Sequence, residues 1–153
     1  MTSRAYEDSA LPPIVRELVV PLGPTEAFDL FTARIGDWWP RAFTASGEAL
    51  AGVVLEPRVG GRVYERSGDG TEHAWGEVGI WELASRVALS WTHGLRTPGA
   101  TLVDVSFTPD GSVTDVRLEH SGWHPDQSAD HARFAADGGW TMVLESYRAR
   151  AAA

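Results

Sequence analysis

Cysteine is absent from the 153 residues, which removes disulfides, thiolate nucleophiles and every cysteine-based zinc or iron-sulfur site at once. Lysine is absent as well: all 13 basic residues are arginine, so Schiff-base chemistry of the aldolase or pyridoxal type has no side-chain amine to use. Positive charge is scarce. With 21 acidic residues and a net charge of -8, the chain lacks the basic footprint that nucleic acid or an anionic membrane surface requires as main partner. No apolar run has the length of a membrane span, and Met1 to Pro12 has none of the apolar stretch of a signal peptide. Residues 1–12 are therefore expected to be a flexible leader, residues 13–153 a single domain, and the protein cytoplasmic.

What is present is turn chemistry and β-forming runs: 16 Gly and 9 Pro are spread along a chain that is 43% hydrophobic. Ile14, Arg16, Leu18 and Val20 alternate with Val15, Glu17 and Val19, a strand closed by Pro21. Gly23 and Pro24 open a helix, with proline at the first helical position and Glu26 near the positive end of the dipole. Ala27, Phe28, Phe31 and Ile35 form its apolar face, Gly36 ends or bends it, and Trp38, Trp39 and Pro40 follow as an aromatic corner. Six β runs come next, at about 51–56, 62–66, 73–83, 87–93, 101–108 and 113–121. Their connections are too short for parallel crossovers, so they form an antiparallel meander. At the end of the chain Trp140, Val143, Leu144 and Tyr147 stand at helical spacing, and Gly138 and Gly139 predict a kink or a late start. The order β, helix, six β, helix predicts an α+β sheet curled around a long C-terminal helix.

The strings LEPRVGGRVYER (Leu55 to Arg66), EHAWGEV (Glu72 to Val78), LSWTHG (Leu89 to Gly94), TDVRLEHSGW (Thr114 to Trp123) and GWTMVL (Gly139 to Leu144) carry a resemblance. From about Ile14 to Arg150, the chain resembles the activator of heat shock protein 90 ATPase homologue family, within the START and Bet v 1-like (SRPBCC) superfamily of helix-grip folds. The resemblance implies a seven-stranded antiparallel sheet gripping the C-terminal helix, two short helices after strand one and an apolar cavity between sheet and helix. It implies little about reaction, because the fold hosts carriers, cyclases and co-chaperone domains alike. The eukaryotic namesakes carry a large additional N-terminal domain, which sets a chaperone partner behind a small molecule here.

Strand parity turns Trp91, Phe107, Leu118 and His120 toward the covered face, and helical spacing turns Trp140 toward it from the other side. Trp75, Trp123 and Trp140 occupy the quoted motifs near the expected mouth of the grip. Core packing competes for any single tryptophan, but several aromatics in one cavity suit a ligand pocket. An inward His120 needs a hydrogen-bond partner: a ligand oxygen or proton on one reading, a backbone carbonyl or the loop at Gly122 on the other. Tyr64 and Glu65 lie in a charged run from Glu56 to Arg66 and are polar candidates, against a reading of that run as an outer charged ladder. His120 and His124 do not form a zinc set, no serine elbow or phosphate loop is present, and neither metal, cofactor nor catalytic constellation is expected. The expected function is a carrier or sensor of an apolar or aromatic small molecule. The alternatives are a polyketide cyclase or aromatase using His120 with Glu65 or Tyr64 as acid and base, and a co-chaperone-like interaction domain.

Overall fold

Alternating runs joined by short turns build one sheet. The computed structural model describes residues 11–153, so most of the expected leader lies outside the described residues. β1 (Ile14–Val20) leads into α1 (Pro24–Phe31) and three single 3-10 turns at Ile35–Asp37, Arg41–Phe43 and Gly47–Ala49. The meander follows as β2 (Leu50–Leu55), β3 (Arg62–Ser67), β4 (Glu72–Glu82), β5 (Arg86–Trp91), β6 (Thr101–Asp110) and β7 (Val113–Ser121). The spatial order is β1-β7-β6-β5-β4-β3-β2, so the first strand closes against the last. All neighbours are antiparallel. Val103 stands opposite His120, Val105 opposite Leu118 and Phe107 opposite Val116, which joins the inward rows of β6 and β7 into one face. Register shifts between Val63 and Tyr64 and between Val78 and Ile80 mark bulges, which bend a sheet and add twist.

Pro24 starts α1 as the sequence predicts, and Ala27, Phe28, Leu30 and Phe31 are buried. The helix stops at Phe31, and the second expected short helix takes the form of the 3-10 turns. Gly36 has a packing reason: a Cβ there would stand 2.8 Å from the Val53 carbonyl oxygen, so glycine lets this turn lie against β2.

The C-terminal helix is in two pieces, α2 (Ser128–Ala135) and α3 (Met142–Ala151), joined through the turn Asp137–Thr141. The break falls at Gly139, whose φ of -93° and ψ of -127° are not helical, and where a Cβ would lie 2.1 Å from the Phe134 carbonyl oxygen. The predicted kink is therefore enforced by backbone contact. Trp140, Val143, Leu144 and Tyr147 are all buried. The Tyr147 hydroxyl donates to the Ala27 carbonyl at 2.8 Å, and its ring sits edge-on to Phe31 and Trp38, each at 5.1 Å. These contacts tie α3 to α1 across the sheet.

The groove between sheet and helix is solid at the α1 end. Phe28 packs edge-on against Trp81 at 4.9 Å and Phe107 at 5.2 Å, and Leu118 is fully buried. The opposite end, beneath the helix break, is hollow.

Candidate functional site

A cavity of about 730 Å³ lies between loop 39–45, the end of β5 with the loop after it, the last turn of α2 and the Gly138–Trp140 break. Five aromatic rings form much of its wall: Trp39, Phe43, Trp91, Phe134 and Trp140. Their packing is continuous, with centroids 5.9 Å apart for Trp39 and Trp91, 5.5 Å for Trp91 and Trp140, and 6.2 Å for Phe134 and Trp140. The three indole N–H groups all donate to protein: Trp39 to the Phe43 carbonyl at 3.1 Å, Trp91 to the His93 carbonyl at 2.9 Å and Trp140 to His120 Nδ1 at 2.9 Å. With those donors used, the indoles offer the cavity carbon surface.

His120 is fully buried and both its nitrogens are occupied by side chains. Because Trp140 donates to Nδ1, the proton sits on Nε2, which donates to Thr101 Oγ1 at 2.6 Å; the Thr101 hydroxyl in turn donates to the Trp91 carbonyl at 3.0 Å. Burial, with a smaller contribution from His131, lowers its pKa to about 3, so the ring is neutral. This relay fastens the helix break to the centre of the sheet and sets the angle of Trp140 in the cavity wall. It leaves no nitrogen for a ligand. His120 is a support of the site and does not line it, and the acid–base role considered for it has no free atom to work through.

Glu65 is also fully buried, on the inward row of β3. Its Oε1 accepts from the Trp75 indole and the Ala45 N–H, both at 2.8 Å, and its Oε2 from the Ser46 N–H at 2.7 Å. Burial alone would raise its pKa, but the hydrogen bonds from Ser46, Ala45 and Trp75 outweigh it and hold the carboxyl below the usual range. Glu65 thus pins loop 44–46 and the Trp75 ring together. Trp75 in turn lies flat on His93, at 4.0 Å between centroids and 12° between planes.

The rim is held by a second set of contacts. Asp130, 1% exposed, accepts from the backbone N–H groups of Arg96 and Thr97 and from Arg133. The Gln127 amide donates to the Gly99 carbonyl at 2.8 Å. Together they clamp the β5–β6 loop onto α2. Arg133 also donates to the Gly94 carbonyl at 2.9 Å, while the exposed Arg96 guanidinium has no ion-pair partner among the described residues. No cluster of three or more His, Asp or Glu among the described residues could hold a metal ion.

Of the residues singled out from the sequence, Trp91 and Trp140 are in the cavity wall. Trp75 and Glu65 lie directly behind it, as does His120. Trp123 is one layer further back, its indole donating to the His120 carbonyl at 2.9 Å and its ring 4.2 Å from the imidazole. Phe107 and Leu118 face inward as parity requires but belong to the solid end of the groove. Tyr64 is on the outer face: adjacent residues of a strand point to opposite sides, so Tyr64 and Glu65 cannot both turn inward. There it lies under Arg62, 4.4 Å from its ring, within the ladder Glu56–Arg62–Glu72–Arg66.

His93 is one of the wall residues, with Trp39, Phe43 and Phe134, that are not among the candidates from the sequence. It continues the inward row Val87, Leu89, Trp91 within the predicted run 87–93, so parity carries the signal. Phe43 and Phe134 had no comparable signal, since their orientation depends on loop and helix placement.

No curated protein matches the chain. Among solved structures, an anthrahydroquino-gamma-pyrone synthase, Txn09, complexed with SUM is 31% identical over 92% of this chain and 97% of that one, with a TM-score of 0.64. CalC from Micromonospora echinospora, described as a self-sacrificing resistance protein, is 26% identical over 92% and 94%, with a TM-score of 0.70. The Aha1 dimer from Colwellia psychrerythraea, at 18% identity over 90% and 94% and a TM-score of 0.64, shares the fold. The sequence profile described as activator of Hsp90 ATPase homolog 1-like protein matches residues 24–151, nearly the whole helix-grip domain, and the chain belongs to that family.

Proposed function

We propose that this protein binds a planar aromatic small molecule in the cavity beneath the helix break, as a carrier or sensor. The observation that carries the reading is the five-ring wall around about 730 Å³, with every indole N–H turned away from the space. Ligand pockets of this size range are mostly apolar, with a few placed polar groups. His93, Arg96 and Arg133 supply those groups here. The relative named as synthase of an anthrahydroquino-gamma-pyrone supports a polycyclic aromatic ligand.

Titration with anthraquinone tests the reading. Trp39, Trp91 and Trp140 line the space, so binding is expected to quench tryptophan emission saturably at one ligand per chain and to raise the melting temperature by mass action. Absence of both effects across anthraquinone, anthrone and flavone would refute it.

A second reading, an enzyme closing rings on an aromatic polyketide, is favoured by the same relative and by a neutral imidazole in the wall, His93, that can serve as general base. Incubation with a linear poly-β-ketone mimic separates the two. A carrier returns it unchanged, whereas an enzyme accelerates formation of the cyclised product.

A further inference from the structure

The cavity wall is unevenly supplied with hydrogen-bonding groups. Arg96 and Arg133 are donors only. Thr44 Oγ1 is used twice, donating to the Arg41 carbonyl at 2.7 Å and accepting from the Gly47 N–H at 3.0 Å. The Phe43 carbonyl already accepts from Trp39 at 3.1 Å and from His93 Nε2 at 2.7 Å, and the Gly94 carbonyl accepts from Arg133. Among wall side chains, His93 Nδ1 is the acceptor that receives no hydrogen bond from any described residue.

Its state is fixed by its surroundings. A carbonyl can only accept, so the short contact to Phe43 places the proton on Nε2 and a lone pair on Nδ1. No described group donates to Nδ1, and it is not sealed in the interior: the buried side-chain polar atom without a partner among the described residues is Asp115 Oδ1. The ring cannot turn freely, being stacked on Trp75 and tied to loop 39–45, which Glu65 anchors. Burial, opposed more weakly by the Phe43 carbonyl, keeps its pKa below that of an ordinary histidine, so the acceptor persists at neutral pH.

We infer that the cavity selects aromatic ligands bearing a hydroxyl group, and that His93 Nδ1 accepts the hydrogen bond from that hydroxyl. The inference rests on the aromatic-binding reading above and adds the ligand's substituent and the atom that recognises it. His93 is a specificity-determining residue on this account, with Phe43, Trp75 and Glu65 as its positioning residues.

The experiment compares anthraquinone with 2-hydroxyanthraquinone by isothermal titration, at a pH where the dye's hydroxyl stays protonated. Wild type is expected to prefer the hydroxylated dye by about three- to tenfold, the range of one neutral hydrogen bond. In His93→Phe, which keeps an aromatic ring on Trp75 and removes the acceptor, the preference between the two dyes is expected to fall within about twofold, whatever the change common to both affinities from losing the bond to the Phe43 carbonyl. A measurement on wild type alone guards against a misfolded variant. Long-range proton–nitrogen correlation spectra are expected to show the Nε2-protonated tautomer for His93, with its Nδ1 resonance moved by the hydroxylated dye and not by anthraquinone. Equal affinity of the two dyes for wild type, or a preference retained in His93→Phe, overturns the assignment and leaves aromatic binding standing. Binding of neither dye overturns the assignment and, where anthrone and flavone also fail to bind, the aromatic-binding reading with it.

Discussion

Replacing His120 with alanine tests the claim that this residue serves the fold rather than a ligand. Truncating a fully buried ring of this size costs about 2 to 4 kcal/mol in lost packing. The substitution also strands the Trp140 N–H, which has Nδ1 as its acceptor, and an orphaned buried donor adds about 1 to 3 kcal/mol. The total is on the order of 3 to 7 kcal/mol, a large part of the roughly 5 to 15 kcal/mol that a domain has. At this chain length each kcal/mol moves the midpoint by about 2 to 4 °C, so melting is expected roughly 6 to 28 °C lower. His120→Asn keeps an acceptor on the same Cγ for Trp140 and is expected to recover part of the loss. Acid gives an independent arm. With its pKa at about 3 in the fold against 6.5 for an ordinary histidine, the imidazole takes up a proton in the unfolded chain before it does in the native one. Its effect is nil above 6.5; stability is then lost progressively as pH falls from 6.5 toward 3, by on the order of 4 to 5 kcal/mol in all. His120→Asn removes this component and flattens the acid limb of the stability profile. Urea unfolding of the three proteins across that pH range measures both effects. A loss below about 1 kcal/mol for His120→Ala, with an acid limb unchanged in His120→Asn, would refute the reasoning.

Three further outcomes follow from the same geometry. Glu65→Gln keeps one acceptor oxygen, enough for Ala45 and Trp75, and turns its amide N–H₂ on the Ser46 N–H; urea unfolding is expected to show a loss of about 1 to 3 kcal/mol, with faster amide exchange at Ser46, and an unchanged midpoint would contradict the anchor role. Gly139→Ala forces a Cβ against the Phe134 carbonyl and is expected to cost more than about 2 kcal/mol, whereas Gly138→Ala, with nothing within 4 Å of its Cβ, is expected to stay within about 0.5 kcal/mol by the same assay. Arg62→Ala breaks the exposed ladder to Glu56 and Glu72 and lifts the guanidinium off the Tyr64 ring, and thermal melting is expected to fall only slightly; a fall as large as that of His120→Ala would show that these surface contacts are stronger than their solvation permits.

The sequence by itself determined the elements and the faces. Short turns force antiparallel neighbours, alternation assigns each strand residue to one side, and Trp140, Val143, Leu144 and Tyr147 announce the buried stripe of the C-terminal helix. Paired glycines located the break within two residues. Depth along the groove was decided only by the tertiary structure. Parity places Trp91, Phe107 and Leu118 on one face but carries no information about which end of that face is covered, and α1 fills the end where Phe107 and Leu118 lie. The fate of each polar group was likewise tertiary. His120 and His93 share the inward parity of their strands, yet Thr101 and Trp140 close around one, while Phe43 takes a single nitrogen of the other. Those partners lie 19, 20 and 50 residues away in the chain, beyond the reach of any local pattern.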